Sequence, residues 1–189
     1  MRAGFELIDE VIEEEGPFDG LIGFSQGAAI GCSYILQDAK SPTPRNPFKC
    51  AIFFCASMPF DLDSRPFTVD KEKGLCYWAD TKEQIIGWDI TDSIPEATSA
   101  GYSGKFDETT QFLRRYPKSE RPLIKIPTTH VVGLSDDYYS QGLGVRDLCV
   151  PQNRQFLEHR GGHDIPKDRN TTTKMVQCIQ NMMQAVLVG

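Results

Sequence analysis

Three residues stand out for their chemistry in this 189-residue chain: Ser25, Asp136 and His163. Ser25 lies in Gly23-Phe-Ser25-Gln-Gly27, a G-x-S-x-G pattern that runs from the apolar stretch Leu21 to Phe24 into the small residues Ala28 and Ala29. A serine on a sharp strand-to-helix turn is held in strained backbone angles that project its hydroxyl away from the sheet. Gly23 and Gly27 flank that turn, and the expectation is that both leave room where strand and helix approach. The backbone N–H of Gln26 falls at the helix start, where it can point at a developing oxyanion.

A serine hydroxyl needs a base within reach, and the base needs a carboxylate to orient it. Asp136, in Gly133-x-x-Asp136, follows an apolar run, with Asp137 beside it as the alternative acid. His163 follows Gly161-Gly162, a loop able to carry an imidazole over a sheet edge. All three residues fall at the carboxyl ends of expected strands, where open α/β sheets gather their sites. The other two histidines have different settings. His130 lies inside a strand and is expected to be packed or hydrogen-bonded, and His159 closes a strand and is expected to be exposed. No His, Cys, Asp or Glu group has metal-ligand spacing, so neither a metal nor another cofactor is expected. Gly142-x-Gly144 does not follow a strand and does not continue as a dinucleotide fingerprint.

The elements that would position these residues can be read from periodicity. Phe5, Ile8, Val11 and Ile12 recur at helical spacing between Arg2 and Glu15, and Gly16-Pro17 stops that helix. The acidic run Glu13 to Glu15 opposes the helix dipole and reads as a solvated face. A strand, Leu21 to Phe24, leads to the serine, and a helix from about Gly27 to Asp38 follows. Cys50 to Ala56 is a continuous apolar run, as expected of a parallel strand covered on both faces, with Cys55 as core packing. Thr128 to Leu134 reads as a third strand, Tyr138 to Leu148 as a helix and Arg154 to His159 as a fourth strand. Met175, Ile179, Met182, Met183 and Val186 define a closing helix from about Asn170. Strand and helix alternate, giving an α/β class with a mostly parallel sheet in a single domain of core 1–56 and 128–189.

Residues 57–127 break this rhythm yet hold nine aromatic side chains. A structureless loop of that length is improbable in a compact domain. Two readings stand side by side: helical lid elements covering an apolar substrate, or an inserted subdomain with its own small core. On the first, Phe60, Trp78 and Trp88 are candidate substrate contacts.

Composition narrows the partners. A net charge of −6 provides no basic stripe for a phosphate backbone or an anionic membrane, so nucleic acid is not an expected partner. No apolar run approaches the roughly 20 residues of a membrane span. The six cysteines are scattered, with no C-x-x-C pair and no secretory leader ahead of them, which reads as reduced thiols in a cytoplasmic protein.

Four motifs in order carry a resemblance: Gly20-Leu-Ile-Gly-Phe-Ser-Gln-Gly-Ala-Ala29, Ile52-Phe-Phe-Cys-Ala-Ser-Met-Pro-Phe60, Thr129-His-Val-Val-Gly-Leu-Ser-Asp-Asp-Tyr-Tyr139 and Gly161-Gly-His-Asp-Ile-Pro166. From about Phe18 to its end the chain resembles the fungal serine hydrolases of the α/β-hydrolase superfamily, in the branch found beside polyketide synthases. The resemblance implies an α/β-hydrolase fold and a Ser25, Asp136, His163 triad. It also implies esterase or thioesterase activity, which in that branch means releasing a polyketide or other acyl chain from an acyl carrier protein.

The chain departs from the family pattern ahead of the elbow. Members begin with a strand, a His-Gly loop, a helix and a further strand, whereas here 24 residues precede Ser25. The usual second oxyanion donor comes from that loop, and losing one donor costs about 10² to 10³ in rate. The strand before Ser25 is expected to be an exposed apolar edge, covered by a missing N-terminal segment or by a homodimer. The alternative to hydrolysis is a polyketide-binding or cyclising protein that uses Asp136 and His163 as an acid/base pair, and a third reading is a binding remnant with an idle triad.

Overall fold

A computed structural model describes residues 2–70, 75–85, 116 and 123–188. The chain divides into two compact units, Met1–Pro59 with Pro117–Gly189, and Phe60–Tyr116.

The first unit is a four-stranded, wholly parallel sheet between helices. In chain order it contains α1 (Arg2–Glu15), β1 (Gly20–Phe24), α2 (Gln26–Lys40) and β2 (Cys50–Phe54). After the second unit, which contributes β3 (Phe67–Asp70) and β4 (Leu75–Trp78), come β5 (Thr128–Gly133), α3 (Tyr139–Asp147), β6 (Arg154–His159) and α4 (Arg169–Val188). The strand order is β1-β2-β5-β6. Parallel neighbours need crossover connections, and the runs β1-α2-β2 and β5-α3-β6 supply them. In register, Phe24 stands beside Phe54, Phe54 beside Val131 and Val131 beside Leu157. The carboxyl ends of the strands therefore finish close together.

Burial explains the sequence of each strand. All six residues of β5 and four of the five in β2 are buried, so β2 reads as an unbroken apolar run and β5 as β-branched residues around a buried histidine. Ile52, Phe54, Val131 and Met182 form one core cluster, with Leu157, Met175 and Ile179 packed around it, and this cluster seats α4 on the sheet. On α2, Ala28, Ala29, Gly31 and Cys32 are buried. A Cβ at Gly31 would come within 2.6 Å of the Leu21 side chain, so small residues let this helix lie close on β1. Phe5 packs edge-on to Tyr34, with ring centroids 5.2 Å apart, and Arg45 bonds both Asp9 and Tyr34, tying α1 to α2. Glu13, Glu14 and Glu15 are exposed.

β1 is the edge strand, with Ile22 72% and Phe24 41% exposed. Among the described residues no helix is long and apolar enough to cross a membrane.

Among the described residues of the second unit the regular structure is an antiparallel strand pair, β3 with β4, and most of the stretch for which helical elements were expected lies outside the described residues. Phe67 and Cys76 are buried, with Val69, Trp78 and Ile85 packed around them, so the aromatic and β-branched residues alternate across a small sheet. Arg65 makes a bidentate pair with Asp80 and stacks over the Trp78 ring at 4.9 Å. Trp88 lies outside the described residues.

Candidate active site

Ser25 sits between β1 and α2 with φ 54° and ψ −120°, a conformation costly for a residue with a side chain. Backbone bonds hold it there. Its N–H donates to Phe54 O at 2.9 Å, and its carbonyl accepts from Ala29 N–H at 3.1 Å. The turn is tight enough that a Cβ on Gly23 would lie 2.5 Å from Ala28 Cα. Gly27 differs from expectation: a Cβ there meets nothing within 4 Å, because the helix has already turned away from the strand. Of the two glycines flanking Ser25, only Gly23 stands at the close approach. Gln26 is the first residue of α2, so its N–H has no intrahelical acceptor and carries the positive end of the helix dipole.

Asp136 lies on the turn after β5, closed by its own N–H bonding Gly133 O at 3.1 Å. Its side chain is 1% exposed, and Oδ1 accepts from the Tyr138 N–H at 2.8 Å. Asp137 is exposed. The loop after β6 interlocks with this turn. Ser135 N–H bonds Gly161 O at 3.0 Å, and Gly133 has no space for a Cβ against the Gly161 and Gly162 carbonyls.

That interlock sets the imidazole. His163 Nδ1 is 2.9 Å from Asp136 Oδ2, and its Nε2 is 2.8 Å from Ser25 Oγ. An ionised carboxylate only accepts, so Nδ1 carries the ring proton, Nε2 is the acceptor and the serine hydroxyl donates to it. Phe24 and Tyr138 flank the ring at centroid distances of 5.1 and 5.3 Å. These two aromatics were not singled out in the sequence, although each lies within two residues of Ser25 or Asp136. The geometry joins Ser25, His163 and Asp136, and it leaves Asp137 out.

The remaining candidates resolve as follows. His130 is fully buried in β5, with Nε2 3.0 Å from Thr128 Oγ1, and burial pulls its pKa from 6.5 down to about 3. His159 is 5% exposed rather than exposed, because the Gly161-Gly162 turn folds back over it and its Nδ1 accepts the Gly161 N–H at 3.2 Å. Gly142 packs on Val132 and Gly144 on Met58, so these glycines serve helix packing. Phe60 and Trp78 belong to the second unit.

Cys55 has a larger place than core packing. Its thiol, a carboxylate oxygen of Asp136 and a ring nitrogen of His163 lie within 4.8 Å of one another, a set that could ligate a metal ion. The polar atoms are otherwise engaged. Asp136 and His163 bond each other, and burial, reinforced by the Asp136 charge, pushes the Cys55 thiol up to about 11. A thiol held protonated is neither a ready nucleophile nor a ready ligand.

With this geometry on hand, the chain can be set beside known proteins. A family model described as Serine hydrolase (FSH1) matches residues 1–175. The chain is 32% identical over 181 residues to Esterase FPY3 of Fusarium mangiferae, covering 95% of this chain and 63% of that protein. It is also 32% identical over 179 residues to Hydrolase FUB4 of Gibberella moniliformis, covering 88% of this chain and 67% of that one. The chain thus spans about two thirds of the length of these curated relatives. The crystal structure of Paleococcus ferrophilus monoacylglycerol lipase superposes with a TM-score of 0.51 at 14% identity, over 95% of this chain and 75% of that one, and shows a shared α/β-hydrolase fold.

Proposed function

The chain belongs to the serine hydrolase (FSH1) family, and from that premise we propose that it is a serine esterase or thioesterase with Ser25 as nucleophile, His163 as base and Asp136 as orienting acid. The observation that carries this reading is the unbroken hydrogen-bond relay from Ser25 Oγ through His163 to Asp136, at 2.8 and 2.9 Å.

The steps follow from the proton positions. Ser25 Oγ bonds the substrate carbonyl carbon as His163 Nε2 takes the hydroxyl proton, and the carbonyl π electrons move to oxygen. The Gln26 N–H and the start of α2 face that oxyanion. Asp136 stays ionised and stabilises the imidazolium through Nδ1–H. The tetrahedral centre collapses, the bond to the leaving alcohol or thiol breaks, and His163 returns the proton to it. An acyl-Ser25 ester remains. Water then attacks as His163 takes its proton, the acyl–Oγ bond breaks, and the proton returns to Oγ.

The finer proposal is that the acyl group is a polyketide or related chain held as a thioester on an acyl carrier protein. The four motifs shared with the polyketide-linked branch support this. The test is turnover of matched N-acetylcysteamine thioesters and oxygen esters, with Ser25→Ala as control. A higher kcat/KM for the thioester than for the oxygen ester of the same chain is expected. Equal or lower thioester turnover would remove the thioesterase part, and wild type no faster than Ser25→Ala on both would remove the hydrolase reading.

A further inference from the structure

β2 ends at Phe54, and the next residue, Cys55, turns to φ 45°, a left-handed conformation unusual outside glycine. Its N–H is fixed to Val131 O at 2.9 Å. The side chain is thereby directed at the loop carrying His163: Sγ lies 3.4 Å from Asp164 O and 4.0 Å from Gly162 O, the carbonyls on either side of that histidine. The same sulfur stands within 4.8 Å of an Asp136 carboxylate oxygen and of a His163 ring nitrogen. Cys55 itself is 1% exposed.

We propose that Cys55 is a positioning residue, its thiol holding the backbone of the loop that presents His163 in place beside the Asp136 carboxylate. The proposal rests on the catalytic reading of Ser25, His163 and Asp136. At neutral pH the thiol keeps its proton, for the burial reason given above, and so is a donor to the Asp164 carbonyl at 3.4 Å, which only accepts. A backbone turned to positive φ at the end of a central strand is the kind of strain that collects at active sites. Here its consequence is a single S–H directed at two carbonyls of the loop that carries His163, with the Asp136 carboxylate within 4.8 Å.

Cys55→Ala removes the proton and keeps the Cβ, whereas Cys55→Ser keeps a donor. Two readouts are needed. The first is the far-downfield proton NMR signal of His163 Nδ1–H, which requires no turnover. The second is kcat against KM on an ester, with thermal melting to establish that each variant is folded. The expected result is that Cys55→Ala broadens the Nδ1 proton and lowers kcat about threefold to tenfold with KM unchanged, while Cys55→Ser restores both toward wild type. A sharp Nδ1 signal and wild-type kcat in folded Cys55→Ala would overturn the proposal, as would a Cys55→Ser variant as impaired as Cys55→Ala. If the Nδ1 signal depends on Cys55 while wild type shows no Ser25-dependent turnover, the positioning role stands and the hydrolase reading falls.

Discussion

His163 Nε2 lies 2.8 Å from Ser25 Oγ across 138 residues of sequence. Three strands finishing at one edge bring these atoms together: β1 delivers the serine, β5 the acid and β6 the histidine. Each residue needs only a short turn beyond its strand to reach the others.

The assignment of the acid gives the first prediction. Asp136→Asn leaves the shape of the site but offers an amide that can present N–H to Nδ1, favouring the wrong tautomer. An ester kcat lower by on the order of 10⁴ is expected. Asp137→Asn, at an exposed position, should turn over near wild type. Equal losses in both variants would contradict the assignment.

The two elbow glycines should respond in opposite directions. Gly23→Ala places a methyl 2.5 Å from Ala28 Cα and should destabilise by about 1–3 kcal/mol. Gly27→Ala enters open space on a helix and should stabilise by about 0.4–1 kcal/mol, through the lower entropy of the unfolded chain. Urea unfolding midpoints check both.

His130 sets a pH dependence. Its folded pKa, about 3, is below the ordinary 6.5, so the unfolded chain binds the proton first. The contribution is fully present above pH 6.5 and is lost as pH falls from 6.5 towards 3. The slope from this group is at most about 1.4 kcal/mol per pH unit, approached once the unfolded imidazole is mostly charged. Urea unfolding between pH 7 and pH 5 should show the loss, and His130→Gln should flatten it.

The edge strand makes a fourth prediction. Ile22 is 72% exposed on β1, where an apolar side chain invites pairing with another chain. Ile22→Lys should reduce concentration-dependent self-association in sedimentation velocity without changing the thermal midpoint by more than a surface substitution does. Wild type that stays monomeric at every concentration, or association unchanged in Ile22→Lys, would contradict pairing through this edge.

Much of the first unit was legible because burial wrote itself into the strands. β2 and β5 are covered on both faces, β2 reads as an unbroken apolar run and β5 as a strand rich in β-branched residues, β6 was bounded by its flanking turns, and Met182 with its helical neighbours marked α4. Ser25, Asp136 and His163 were legible as a set because each follows a strand. The unread parts depend on contacts between distant loops. Burial of His159 comes from a turn that folds back over it, and nothing at position 159 announces that. Cys55 reads as one more core residue until the sheet order brings β5 beside β2 and Asp136 beside its thiol. Gly27 looked equivalent to Gly23 because a pattern records spacing and not which side of a turn is crowded. The β3-β4 pair was missed because its strands are four residues long, too short for alternation to stand out.

The central claim is that Ser25 is an activated nucleophile, and covalent labelling by a fluorophosphonate tests it most directly. Intact mass and peptide mapping should show one adduct, on the peptide containing Ser25, absent in Ser25→Ala and strongly slowed in His163→Ala. Folded wild-type protein that stays unlabelled, or Ser25→Ala that labels like wild type, would contradict it.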